Sequence, residues 1–185
     1  MRYKVIATGE EPVTLEDAKM YLRTIAGETD EDDSILLPMI AAAREYCENI
    51  TGRAVARQTI RAYPERFGGQ MRLPRPPIVR VTAIRYTDRK NEVRALNAAD
   101  YAVDDIDGCV AILRAPVALL RAINPIEIEY EAGYEDPPRA IRQAMLLLIG
   151  HWYTNREAVA TGAVATVEVD LTTRALLRQY KVWWF

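Results

Sequence analysis

The single histidine, His151, is the first place to look for chemistry. It stands in residues 146–159, LLLIGHWYTNREAV, beside Trp152 and Tyr153 and just before Asn155, Arg156 and Glu157. An imidazole is the usual proton carrier and metal ligand near neutral pH. A catalytic role needs a nucleophile or carboxylate brought to it by the fold. Glu157 follows too far along the chain to share its helical face. A zinc site needs more ligands than one histidine and two distant cysteines supply. His151 is therefore expected to end a helix, where the dipole favours a protonated ring.

Other clusters give equally plain readings. The carboxylates at 30–33 lack the Asp-x-Asp-x-Asp-Gly spacing of a calcium loop and suit a helix amino terminus. Asp104, Asp105 and Asp107 beside Gly108 fit a solvated turn; Asp104, Asp105 or Glu127 in a deep pocket would instead suit a carboxylate-dependent enzyme. Ser34 is the only serine and lies in an acidic helix start, which removes most of the case for a serine hydrolase. FGGQMRLP has neither phosphate-loop spacing, and no GxSxG elbow occurs. Cys47 and Cys109 have no CxxC spacing and read as buried free thiols in a reducing compartment, a disulfide between them staying open. Arg72, Arg75, Arg80, Arg85 and Arg89 form a basic run whose alternation puts Arg80 and Arg85 on opposite faces of a strand. They would line a solvated rim or meet acidic patches on a neighbouring subunit.

The aromatic residues at the carboxyl end are the largest anomaly. Trp183, Trp184 and Phe185 follow one another where chains are commonly polar and frayed. Each could bury about 150–250 Å². Either they fold back onto their own core, or they form, with Leu176, Leu177 and Tyr180, a surface for docking on a partner or neighbour. The weakly patterned stretch before them, expected to be a flexible tether, favours docking.

These residues must be positioned by helices at both ends and strands between. VTLEDAKMYLRTI opens with a capping box, Thr14 with Asp17, and sets Leu15, Ala18, Leu22 and Ile25 on one face. A longer helix carries Ile35, Met39, Ala43, Tyr46 and Ile50 and stops at Gly52, with Pro38 marking a late start or a kink. From 54 to 132 the pattern turns to short β-branched segments: QTIRAY, VRVTAIRY, EVRAL, YAVDD, CVAIL and IEIEYEA. The last alternates strictly, which sends Ile126, Ile128 and Tyr130 inward and Glu127, Glu129 and Glu131 to water. A third helix is expected from Asp136 as cap, with Pro137 or Pro138 in its first turn and Ile141, Ala144, Met145, Leu148, Ile149 and Trp152 on its apolar face. Trp152, Tyr153, Asn155 and Arg156 form the end of that core helix. A flexible segment at 159–170 and a short helix bearing Leu171, Leu176, Leu177 and Tyr180 complete the chain. The fold class is α+β: a small helical bundle of three main helices plus a short carboxyl-terminal helix, with an inserted, mostly antiparallel sheet. The 185 residues read as one domain: 1–53 helical, 54–132 the inserted β region, 133–158 the core helix, 159–170 flexible, 171–185 helix and aromatic tail.

The totals restrict the class further. With 24 basic and 26 acidic residues the net charge is −2, against the basic excess of a general nucleic-acid binder. No apolar run reaches the ~20 residues of a membrane span, and the first residues carry no long apolar stretch of a secretion signal.

VTLEDAKMYLR, DEDDSILLPMIAAAREYCENITGR, LPRPPIVRVTAIRY, IEIEYEAGYEDPPRAIRQAMLLLIGHWYTNREAV and LLRQYK, in that order, resemble the head–tail connector (adaptor) proteins of tailed bacteriophages and prophages. The resemblance spans nearly the whole chain; Pro38 and the Trp-Trp-Phe ending depart from it. It implies a structural protein of the virion's head–tail junction, assembled in the bacterial host cytoplasm. Such a protein has no catalytic, metal or cofactor site and forms a homo-oligomeric ring, twelve-fold, beneath the portal protein. The ring would extend the channel through which genomic DNA passes without sequence recognition, and would offer a platform to a tail-side stopper or tail-completion protein. The competing readings are another head–tail joining protein, a cytosolic carboxylate-site enzyme, and a DNA-binding module.

Overall fold

The structure, a computed structural model, describes residues 1–26, 33–67, 69–104, 109–114, 124–155 and 166–183. The fold is α+β, with four α-helices and two antiparallel sheets among the described residues. The chain divides into two compact units: Met1–Gly9 with Ala56–Tyr134, and Glu10–Val55 with Glu135–Phe185.

The first unit is the sheet unit. Its strands are β1 (Arg2–Thr8), β2 (Gln58–Tyr63), β3 (Gln70–Arg72), β4 (Ile78–Thr87), β5 (Val93–Ala95), β6 (Tyr101–Asp104), β7 (Cys109–Ile112) and β8 (Ile126–Ala132). One sheet runs β1-β2-β8-β4-β5 and the other β3-β7-β6, with every pairing antiparallel. β8 is the centre of the larger sheet, and its strict alternation appears as expected. Ile126, Ile128, Tyr130 and Ala132 are fully buried, while Glu127, Glu129 and Glu131 lie on the other face. Each large apolar side chain buried this way stabilises by about 1.5–3 kcal/mol. Tyr130 keeps its hydroxyl satisfied by donating to the Pro74 carbonyl at 2.7 Å, and burial raises its pKa.

Two findings depart from the sequence reading here. The residues at 2–8, grouped there with the helices, form a strand. The alternation Arg2-Tyr3-Lys4-Val5 was the signal available for it. Arg80 and Arg85 are on one face, not two. β4 shifts register between Val81 and Ala83, so the strand's phase changes between the two arginines and both oppose glutamates of β8. A tight approach ends β8: Gly133 has φ +113, and a Cβ there would lie 2.0 Å from the Ala56 carbonyl oxygen.

The second unit is helical: α1 (Leu15–Ala26), α2 (Asp33–Thr51), α3 (Arg139–Thr154) and α4 (Thr166–Leu177), followed by a 3-10 turn at Arg178–Tyr180. The capping box of α1 forms as read. The Asp17 amide donates to Thr14 Oγ1 at 3.1 Å and the Thr14 amide donates to Asp17 Oδ2 at 3.2 Å. α2 runs straight through the position of Pro38, beginning at Asp33 rather than after the proline. Its buried face is Leu36, Ile40, Ala43, Arg44, Cys47, Glu48 and Thr51; of the expected stripe Ala43 is buried, while Ile35, Met39, Tyr46 and Ile50 are half-buried, each one residue before or after a buried position. The expectation counted only apolar residues, whereas two ionic side chains belong to the buried face. Gly52, with φ +70, ends the helix by donating its amide to the Glu48 carbonyl at 2.8 Å.

α3 starts later than expected. Pro138 itself is the N-cap, and Asp136 plays no capping part. Pro138 has φ −51 and ψ 138, outside helical geometry, so the first turn begins at Arg139. α4 begins at Thr166, so 166–170 of the stretch expected to be flexible are helical; the rest of it lies outside the described residues. Helix growth is cooperative, and a packed segment extends itself into residues of poor propensity. Leu171, counted on the apolar face, is exposed, while Thr173 and Leu177 are buried.

Candidate functional site

The carboxyl end of α2 is the most constrained polar region of the helical unit. Arg44 and Glu48 are one helical turn apart and both almost fully buried. Arg44 donates from Nη1 to Glu48 Oε2 at 3.0 Å and from Nε to Glu11 at 2.9 Å. Glu48 uses its other oxygen to accept the Val55 amide at 2.9 Å. A buried charge is tolerated only when paired and hydrogen-bonded, and this set meets both conditions. Cys47 lies beside it; burial, and then the neighbouring Glu48 charge, push its thiol up to about 12, which leaves it protonated and unreactive at neutral pH.

The same helix end holds the carboxyl-terminal segment. Arg53 donates from Nε to the Tyr180 carbonyl at 2.6 Å, and the Val182 amide donates to the Thr51 carbonyl at 2.8 Å. Leu177 and Val182 are buried, Leu176 and Tyr180 half-buried. Trp183 comes next and is 72% exposed, with Lys181 Nζ 4.9 Å from its ring centroid. Backbone clamping on one side and an indole in water on the other is the arrangement of a presented side chain. Of the expected docking residues, the structure therefore separates Leu177, a core residue, from Trp183, a surface one. Trp184 and Phe185 lie outside the described residues. Sequence reasoning missed Arg53, Thr51 and Val182, because backbone acceptors leave no trace in residue type.

His151 stands in the last turn of α3, held by Asn155. Asn155 donates its side-chain amide to His151 Nδ1 and to the His151 carbonyl, both at 3.0 Å, and donates its backbone amide to that same carbonyl at 3.0 Å. Tyr153 is buried, whereas Trp152, expected to pack inward, is half-buried; Arg156 and Glu157 lie outside the described residues. A cleft of about 440 Å³ opens between α1 and α3, lined by Val13, Met20, Tyr21 and Leu146, with Arg142 donating to Asp17 at 3.1 Å on its edge. Hydrogen bonding to Thr14, with Arg142 adding to it, holds the Asp17 carboxyl below its ordinary value.

In the sheet unit one of the candidate carboxylates, Glu127, and its neighbours on β8 are engaged with arginines. Glu127 accepts from Arg85 at 2.8 Å, Glu129 from Arg61 at 2.7 Å, and Glu131 from Arg80. The hydrogen bond from Arg61 is the main cause holding Glu129 low, and that from Arg80 does the same for Glu131. Arg80 and Arg85 thus answer acids of their own sheet. Asp104 is exposed on β6, and Asp105 and Asp107 lie outside the described residues. Among the described residues, no three His, Cys, Asp or Glu converge as a metal site would require.

A sequence model of the head completion protein family matches residues 12–175. The chain belongs to the head completion protein family. That match spans most of both the helical and the sheet unit. No curated protein matches this head completion protein by sequence. Solved structures share its fold at low identity. One is from the neck of an empty gene transfer agent (GTA) particle computed with C6 symmetry, with a TM-score of 0.76, 19% identity, and coverage of 100% of this chain and 97% of that one. Another is from the neck of a native GTA particle computed with C12 symmetry, with a TM-score of 0.73, 21% identity and the same coverage. A third is from the virion of a native GTA particle, with a TM-score of 0.73, 20% identity and again the same coverage.

Proposed function

We propose that this head completion protein is a head–tail connector, a structural component that assembles as a ring at the neck of a tailed particle, beneath the portal. In this reading the ring extends the DNA channel and offers its far side to a stopper or tail-completion protein. The role is architectural, with no reaction to catalyse. Family membership supports the joining role, and the likeness to chains from necks computed with C6 and C12 symmetry supports a ring.

The observation that carries the docking part is the presented Trp183. The Tyr180 carbonyl accepts from the Arg53 guanidinium just past α2, the Val182 amide donates to the Thr51 carbonyl at the end of α2, and the indole remains 72% exposed. An anchored aromatic loses little conformational freedom on binding and desolvates a large area, which is the profile of an interface hot spot. Weak contacts of this kind, repeated around a ring, sum to firm attachment through effective concentration. Trp183 and the aromatics after it would sit on the portal or on the next subunit. A near-neutral net charge of −2 suits a channel that lets DNA slide without holding its phosphates.

The test combines native mass measurement with portal co-purification. The full chain is expected to form closed rings, alone or on the portal, and Trp183→Ala is expected to weaken portal or ring association at least tenfold while leaving the melting temperature unchanged. Truncation belongs after Val182, since that residue is part of the core. A chain that stays monomeric and ignores a portal would overturn the connector reading. A ring that binds a tail tube and no portal would favour a stopper or tail-completion role instead.

A further inference from the structure

β1 is an edge strand of unusual exposure. All seven of its residues are exposed, and among the described residues it pairs only with β2. Its outer backbone groups are therefore open to another strand. The two faces of β1 continue those of the sheet. Tyr3 stands opposite Ala62 and Val5 opposite Ile60, so both lie on the buried face of β2, yet Tyr3 is 40% and Val5 37% exposed. On the other face Lys4 stands opposite Arg61.

That last pair is a like-charge juxtaposition, which is unfavourable unless a counter-charge is near. Arg61 has its counter-charge from β8, in Glu129 at 2.7 Å. The larger sheet follows one rule on its polar face. The acidic strand β8 is flanked by strands that supply arginines: Arg61 from β2 on one side, Arg80 and Arg85 from β4 on the other. Among the described residues β1 is a basic strand whose one paired strand, β2, carries no acidic residue.

We propose that the outer edge of β1 accepts a strand from a partner protein, an extended segment in which acidic and apolar residues alternate. Its acids would sit beside Lys4 and extend the Arg–Glu alternation of the sheet. Its apolar residues would cover Tyr3 and Val5 and continue the buried face outward. Backbone hydrogen bonds supply the affinity in this mode of recognition, and the alternate side chains supply the selectivity. The proposal concerns the sheet unit of a single subunit and does not depend on the ring or on Trp183.

The chain carries its own example of such a strand in β8, so the probe is the synthetic peptide IEIEYEA, with IKIKYKA as its charge-reversed control. Binding to the full chain at low salt would be followed by fluorescence anisotropy, and amide hydrogen exchange would locate the site. The acidic peptide is expected to bind at least tenfold tighter than the basic one and to slow exchange in β1. Lys4→Glu, a substitution at an exposed position, is expected to reverse that preference. Failure of IEIEYEA to bind, equal binding of the two peptides, protection at β5 or β6 in place of β1, or indifference to Lys4→Glu would each overturn the proposal. Loss of protection in β8 on adding peptide would show strand exchange and overturn it as well.

Discussion

The two units handle charge in opposite ways. In the sheet unit the charged side chains form a ladder on a solvated face, with Arg61, Arg80 and Arg85 answering Glu129, Glu131 and Glu127. The core behind them is apolar, and its tightest constraint is steric, at Gly133. In the helical unit the ion pair is in the core itself, where Arg44 joins Glu11 and Glu48 at the helix end that also holds the carboxyl-terminal segment. Identical chemistry thus serves two purposes. On a wet surface an ion pair contributes little and mostly selects which strands are neighbours. In a core it contributes no large net stability, but it penalises every arrangement that leaves one partner unpaired.

That contrast orders the expected effects of mutation. Gly133→Ala should be the most damaging, since the new Cβ would meet the Ala56 carbonyl and the backbone is left-handed there. A loss on the order of 4 kcal/mol or more is expected, read as loss of soluble protein or of cooperative unfolding. Glu48→Ala strips the buried Arg44 of a partner and leaves the Val55 amide unsatisfied. Urea unfolding should report a loss of about 3–5 kcal/mol. The double variant Arg44→Met with Glu48→Leu should recover most of it, and a double variant as weak as the single one would mean that the pair matters for more than its mutual compensation.

Thr14→Ala removes half of the α1 capping box and should cost about 1 kcal/mol by the same measurement. Glu129→Gln should be the mildest, a few tenths of a kcal/mol at neutral pH. Its sign with pH is definite. Glu129 titrates lower when folded than its ordinary value of 4.5, so its contribution is complete above that value and is lost as pH falls through the lowered folded one. Stability of the parent chain should fall across that acidic window, and the glutamine variant should show a shallower fall. A larger effect for Glu129→Gln than for Glu48→Ala would reverse the contrast between the units.

Much of this was legible in the chain. β2 and β8 coincide with QTIRAY and IEIEYEA, because a period of two is a local signal that does not depend on what packs against it. The α1 capping box and the Gly52 stop were legible for the same reason: each rests on hydrogen bonds spanning only a few residues. The proposed docking residues were legible only in part. The aromatic run drew attention to Trp183, but which neighbouring residues are core and which are presented was not contained in their types. Leu176, Leu177 and Tyr180 look alike on a helical wheel and differ in burial.

The sequence by itself determined the α+β class, the faces of β8, the capping box of α1 and the Gly52 stop, all consequences of short-range sterics and hydrogen bonding. It also carried, through ordered motifs, the family to which the chain belongs. Tertiary structure alone decided three things. A bulge in β4 brought Arg80 and Arg85 to one face. The buried pairing of Arg44 with Glu48 shifted the α2 core face by one residue. Backbone groups at Thr51 and Tyr180 fixed the segment that presents Trp183. In the first and third cases the deciding partner is supplied by chain geometry or by a main-chain atom; in the second it is a side-chain ion pair whose burial depends on what packs around it. Main-chain atoms are the same at every residue, so a reading of side-chain types passes over them.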